Sequence, residues 1–181
     1  MTRIYLAHGA SGNAASMQPW VDGLRNRGID ARSVELPRRK AEEAVAAYEG
    51  QVPDEPGVVI GGQSFGGRVA SLAVAGARAP GAVARAHPYA GLVCLSYPLH
   101  PPGAPGNAAT RTAHWPSIMV PALLLSGTSD PFATIGLLEA SMAALRDGRL
   151  VTYPKLGHTL KPVQADALDR IAAFLADLSG A

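Results

Sequence analysis

Short apolar runs alternate along the chain with longer stretches in which apolar residues recur every three or four positions. The runs Ile4 to Ala7, Asp30 to Leu36, Val58 to Gly61, Gly91 to Leu95, Ala122 to Ser126 and Leu150 to Tyr153 have the length of strands. Between them, Ala15 to Arg27, Ala41 to Glu49, Gly67 to Arg78 and Thr134 to Arg146 follow a helical period. Val163 to Leu178 closes the chain with Val163, Ala167, Leu168, Ile171, Phe174, Leu175 and Leu178 on one stripe. Apolar strands alternating with amphipathic helices predict an α/β fold: a doubly wound, mostly parallel six-stranded sheet with helices on both faces. The stretch Tyr97 to Pro121, rich in Pro and Gly, shows neither period and reads as a long loop, functional or mobile.

Size and charge narrow the picture. A chain of 181 residues supports one sizeable core, so a single domain over residues 1–181 is expected. The net charge is +2, and apart from Arg38, Arg39 and Lys40 the basic residues are scattered. No cationic stripe tracks a phosphate backbone, so nucleic acid is not an expected partner. The three-residue basic cluster reads as a solvated face. The lone Cys94, in an apolar run, can make neither an internal disulfide nor a metal cage, which fits a reducing compartment. The first residues are too short an apolar stretch for a signal-peptide core, and no run is long enough to span a membrane. A cytoplasmic protein with no membrane partner is the expectation.

One segment carries chemistry. Gly61-Gly62-Gln63-Ser64-Phe65-Gly66-Gly67 follows the strand Val58 to Ile60 and precedes a helix. A serine held in a strained strand-to-helix turn needs glycine two positions either side, because the neighbouring backbones pass too close for a side chain. Gly62 and Gly66 meet that need; a glycine-rich turn that only joins two elements is the plainer reading. A serine hydroxyl is a poor nucleophile at its own pKa and needs a base, and the base needs a partner that fixes its tautomer. His158 lies between the last strand and the last helix, on the sheet edge where sites of doubly wound folds form; a loop histidine capping a helix is the alternative. Asp130 follows the strand ending at Ser126. With Pro131 after it, Asp130 also reads as a helix N-cap, and both roles can hold at once.

Ser64, Asp130 and His158, in that chain order and each at a strand end, make the chain resemble the α/β-hydrolase superfamily over nearly its whole length. Its compactness and the string Ser96 to Gly103 make it similar to small bacterial hydrolases related to the dienelactone hydrolases. The resemblance implies a nucleophile, an acid and a base in these three residues. It also implies an oxyanion hole from the backbone N–H groups of Phe65 and Ala10, the latter in the loop His8-Gly9-Ala10-Ser11-Gly12-Asn13, with Ser11 as alternate donor. His8 itself reads as shaping that loop. Compared with larger relatives the chain lacks two leading strands and a cap domain after Leu95, which should leave Ser64 open to solvent. If anything serves as a lid it is the Tyr97 to Pro121 loop, whose His100, Arg111 and His114 are weaker candidates for substrate binding. Arg111 could pair with a substrate carboxylate.

The expected activity is hydrolysis of a small carboxylic ester through an acyl-enzyme. A thioesterase, a dienelactone-type hydrolase or a catalytically idle interaction scaffold are the alternatives. No metal-ligand spacing and no nucleotide-binding glycine fingerprint is present, so neither a metal nor a cofactor is expected.

Overall fold

The computed structural model describes residues 3–77 and 89–180. Six strands, β1 (Arg3–Ala7), β2 (Asp30–Val34), β3 (Val58–Gln63), β4 (Gly91–Leu95), β5 (Ala122–Gly127) and β6 (Gly148–Tyr153), form one sheet in the order β2-β1-β3-β4-β5-β6. Every neighbouring pair is parallel, so the sheet is wholly rather than mostly parallel. The helices are α1 (Gln18–Arg25), α2 (Ala41–Glu49), α3 (Phe65–Val74), α4 (Ala108–Thr112), α5 (Ile135–Ser141) and α6 (Gln164–Ser179).

Two cores follow from the period-two alternation of the strands. Tyr5, Ile60, Leu92, Cys94 and Leu124 point to one face, where α2, α3 and α5 bury Val45, Val69 and Leu138. Ile4, Leu6, Val59, Val93 and Leu123 point to the other, where α1 and α6 bury Leu24, Ile171 and Phe174. Trp20, Val21 and Leu24 give α1 its apolar stripe, and Pro at its first turn supplies a preset φ where no N–H is needed. Tyr48 fastens α2 to the sheet: its buried hydroxyl lies 2.8 Å from the carbonyls of Tyr5 and Gly61 and accepts the Gly61 N–H at 3.0 Å.

Three expectations from the sequence need correction. The segment from Tyr97 to Pro121 is not irregular throughout: it contains α4 and short 3₁₀ turns, and it buries Tyr97, Leu99, Trp115 and Ile118 against the α3 face. Tyr97 and Trp115 meet edge to face, ring centroids 5.1 Å apart. A five-residue helix is too short to show a period in sequence. The Thr134 to Arg146 helix is shorter, with α5 ending at Ser141 and a 3₁₀ turn following. The Gly67 to Arg78 helix begins earlier, at Phe65, and ends at Val74; Arg78 lies outside the described residues.

The strand order places the switch in chain direction between β1 and β3, since β2 lies outside β1 while β4 to β6 lie outside β3. Loops leaving β1 and β3 diverge there and open a crevice at the strands' carboxyl ends. No helix of the described residues is long and apolar enough to cross a membrane.

Candidate active site

Ser64 stands in that crevice. It joins β3 to α3 with φ 49° and ψ −114°, a left-handed region that costs a residue with a side chain about 1 to 3 kcal/mol. The turn is held by the Ser64 N–H, which donates to the Leu95 carbonyl at 2.8 Å, and by the Arg68 N–H on the Ser64 carbonyl at 3.0 Å. Its flanking glycines are required by contact. A Cβ on Gly62 would lie 2.6 Å from the Ala7 carbonyl oxygen, and one on Gly66 would lie 2.4 Å from the same atom. The helix can pass this close to β1 only without side chains.

His158 leaves the loop after β6 and reaches this serine. Its Nε2 is 2.8 Å from Ser64 Oγ, and its Nδ1 is 2.8 Å from Asp130 Oδ2. With a carboxylate on Nδ1, the neutral ring carries its proton there and donates it to Asp130. Nε2 is then left to accept the Ser64 O–H. The Asp130 side chain is fully buried and that of His158 is 25% exposed, so the carboxylate is shielded from water while the imidazole faces the crevice. The Phe132 ring packs at 4.4 Å from the His158 ring and limits its rotation.

Asp130 is not a helix N-cap. Its Oδ1 accepts the Phe132 N–H at 2.8 Å, closing an Asx turn, and α5 begins only at Ile135 with Thr134 at its cap. The Asp-Pro pair therefore marks a turn that aims the carboxylate.

Ser64 opens into a cleft of ≈ 420 Å³ lined by Ala10, Lys40, Glu42, Ser64, Phe65, Arg68, Pro98, Arg111 and Phe132 among others. Phe65 is the first residue of α3, so its amide has no partner four residues back. The loop after β1 approaches closely: a Cβ on Gly9 would lie 3.7 Å from Ser64 Cβ. Ala10, next in that loop, is exposed into the cleft; Ser11 is exposed but does not line it. His8 shapes the loop, its Nδ1–H donating to the Gly9 carbonyl at 2.7 Å and its Nε2 accepting the Leu36 N–H at 3.0 Å.

The weaker sequence candidates divide. Arg111 lines the cleft, its Nη1 donating to the Pro98 carbonyl at 2.9 Å. His100 does not: it is buried, with Nδ1 2.8 Å from the Pro101 carbonyl and Nε2 accepting the Thr134 N–H at 3.0 Å, so both nitrogens tie the Pro101 loop to the start of α5. His114 is also turned inward. Its Nε2–H donates to Ser71 Oγ at 2.8 Å, because the Ser71 hydroxyl proton already goes to the Arg68 carbonyl. Burial, helped by the nearby Arg68 charge and opposed by Glu42, pushes the His114 pKa down to about 4. It is therefore neutral at pH 7.

Arg68, Lys40, Glu42 and Phe132 line the cleft without having been singled out in sequence. Arg68 was reachable by spacing alone, since it stands four residues after Ser64 and so on the same side of α3. Arg68 pairs with Glu42. Burial works to raise the Glu42 pKa, but its own backbone N–H and the Arg68 guanidinium outweigh this and hold the carboxyl below its ordinary value. Lys40 also ties the cleft to the basic cluster, which is exposed as expected but borders the site: Arg38 and Arg39 line a recess of ≈ 210 Å³ that shares Ala10 and Phe65 with the cleft. Among the described residues no group of three His, Cys, Asp or Glu side chains is placed to hold a metal ion.

Proteins of known structure share this fold. No curated protein matches the chain in sequence. Solved structures share the fold at low identity. A monoacylglycerol lipase of Paleococcus ferrophilus is 13% identical with a TM-score of 0.79, over 98% of this chain and 96% of its own. The apo form of esterase 2 of Thermogutta terrifontis is 17% identical with a TM-score of 0.75, over 98% of this chain and 83% of its own. A structure described with two metagenome-derived lipolytic enzymes, LipS and LipT, is 15% identical with a TM-score of 0.69, over 97% and 94%. With its strand order, its elbow serine and a sequence match to the family over residues 30–175, the chain belongs to the alpha/beta hydrolase domain family.

Proposed function

We propose that this protein is a serine hydrolase of small carboxylic esters, with Ser64 as nucleophile, His158 as general base and Asp130 as the carboxylate that orients it. The observation that carries the reading is the hydrogen-bonded relay from Asp130 through His158 to Ser64, 2.8 Å at each step, ending on a backbone-strained elbow. As Ser64 Oγ attacks the ester carbonyl, His158 Nε2 takes its proton, and Asp130 stabilises the imidazolium that forms. The backbone N–H groups of Phe65 and Ala10 are assigned to the oxygen that becomes negative; each such donor lowers the barrier by about 3 to 4 kcal/mol. His158 then returns the proton to the leaving alcohol, and water enters by the same route to free the acid and restore the hydroxyl.

The cleft supports a small substrate, since ≈ 420 Å³ is toward the lower end of ligand-site volumes and no cap deepens it among the described residues. Similarity of fold to a monoacylglycerol lipase and an esterase supports ester chemistry in general and leaves acyl length to the cleft. The idle-scaffold alternative is disfavoured by the strain at Ser64, which a protein without chemistry at that residue has no reason to retain.

The test is hydrolysis of 4-nitrophenyl acetate by the wild type, Ser64→Ala and His158→Ala. Each substitution is expected to lower kcat by roughly four to six orders of magnitude, as in other triads. A loss under tenfold in either variant removes that residue from the mechanism.

A further inference from the structure

The cleft beside Ser64 is unbalanced in charge. Among the described residues Lys40, Arg68 and Arg111 line it against the single carboxylate of Glu42, and Arg38 and Arg39 stand at its border. Glu42 is already committed to Arg68. Arg111 has no carboxylate within ion-pair distance among the described residues; one arm of its fork rests on the Pro98 carbonyl, and the planar group carries five N–H donors in all. Partial burial and the neighbouring Arg68 both act against its charge, lowering its pKa, with Tyr97 and Glu42 giving some relief. Two half-buried guanidiniums sharing one wall cost free energy that an anion between them would recover.

Taking the serine-hydrolase reading as given, we propose that the preferred substrate is an acidic ester whose carboxylate or phosphate sits between Arg68 and Arg111 while its ester carbonyl meets Ser64. Ser64, at the start of α3, and Arg68, one turn on, line the same cleft with Arg111, so one small molecule can reach the hydroxyl and both guanidiniums. An anionic group near the scissile bond fits; a long neutral acyl chain would force those guanidiniums against hydrocarbon. The arginine fork favours planar, bidentate carboxylate or phosphate over a single point contact. The exposed cluster from Arg38 to Lys40 adds a positive field at the mouth that raises the encounter rate of such anions at low salt.

The two sources of the anion are separable by experiment. In one arm, kcat/KM is measured for mono-4-nitrophenyl glutarate and for neutral 4-nitrophenyl pentanoate, which place charge or its absence on the acyl side. In the other, acetate release is followed from acetylglycerol phosphate and from acetylglycerol, which vary the alcohol side. The proposal expects the anionic member to be favoured at least tenfold in one arm. That ratio should fall at least tenfold in Arg111→Gln, recover in part in Arg111→Lys, and narrow as salt rises. Should the variants fail to fold, the wild type suffices: glutarate should inhibit pentanoate ester hydrolysis at least tenfold more tightly than pentane-1,5-diol does. Active enzyme with ratios near one in both arms, or ratios that survive Arg111→Gln, overturns the anionic-substrate proposal and leaves the hydrolase reading standing. No turnover of any of the four esters by folded wild type overturns the hydrolase reading itself.

Discussion

Replacing Asp130 by Asn isolates what the buried carboxylate does, because the shape is kept and only the donor pattern changes. Oδ2 accepts from His158 Nδ1 and Oδ1 accepts from the Phe132 N–H, each at 2.8 Å, so the native side chain accepts at both oxygens. An asparagine can accept at only one. If its oxygen stays on the Phe132 N–H, its NH₂ faces His158 and donates to Nδ1, which drives the ring proton to Nε2 and leaves nothing to accept the Ser64 hydrogen. If its oxygen turns to His158, its NH₂ faces the Phe132 N–H and two donors collide at a position with no exposed side-chain surface. The first arrangement loses the base and the second loses a turn. Wrong tautomer and missing charge together cost triads about four decades in kcat, or about 5.5 kcal/mol at 1.36 kcal/mol per decade. One unmade buried hydrogen bond costs about 1 to 3 kcal/mol of stability, or roughly 2 to 12 °C in Tm for a chain of this size. Stopped-flow or steady-state hydrolysis of 4-nitrophenyl acetate gives the first number and a thermal melt the second. An Asp130→Asn protein that keeps more than a tenth of wild-type kcat would refute the account of the relay, whatever its melting temperature.

Other consequences follow from individual contacts. Gly66→Ala would place a Cβ 2.4 Å from the Ala7 carbonyl oxygen, so the variant is expected to lose more than about 3 kcal/mol in urea unfolding or to fail to fold; a wild-type midpoint contradicts the close approach of α3 to β1. Ser64→Gly relieves the left-handed φ of 49° while Ser64→Ala retains it, so the glycine variant should melt above the alanine one by a few degrees, after about 0.5 to 1 kcal/mol of glycine entropy is subtracted from the strain released. His114, held neutral by burial and Arg68 down to pH of about 4, binds its proton more readily in the unfolded chain, so this group's stabilising contribution is complete above its unfolded pKa and is lost as pH falls toward 4. His114→Gln, which can still donate to Ser71, should flatten the acid limb of stability between pH 6.5 and 4 by up to about 3 kcal/mol; an unchanged limb assigns the acid sensitivity elsewhere.

How far the sequence could be read depended on the kind of signal each feature leaves. The central strands β3, β4 and β5 are buried and apolar almost throughout, while the edge strands β2 and β6 are partly exposed and carry polar residues, yet all six are visible as runs; their ends shift by no more than two residues, because pairing, not composition, decides where a ladder stops. The three residues of the relay each sit at a strand end in the order the topology brings together, so their meeting follows once the sheet is granted. Asp130 shows the limit of local reasoning. The string Asp-Pro is compatible with a cap or a turn, and only the later start of α5, with His100 bonded to Thr134, selects the turn. His100 and His114 look alike in sequence to a substrate-facing histidine, since what turns them inward is a partner 34 or 43 residues away. Cleft residues such as Lys40 and Phe132 leave no motif, because a wall assembled from five separate stretches of chain has no spacing rule.

The most direct test of the relay is intact-mass analysis of the protein incubated with a fluorophosphonate, which captures an activated serine without requiring the right substrate. A single adduct is expected, assigned to Ser64 by peptide mapping, absent in Ser64→Ala and formed at least a hundredfold more slowly in His158→Ala. A folded wild-type protein that gains no mass, or gains it at another residue, contradicts the claim that Asp130 and His158 make Ser64 a nucleophile.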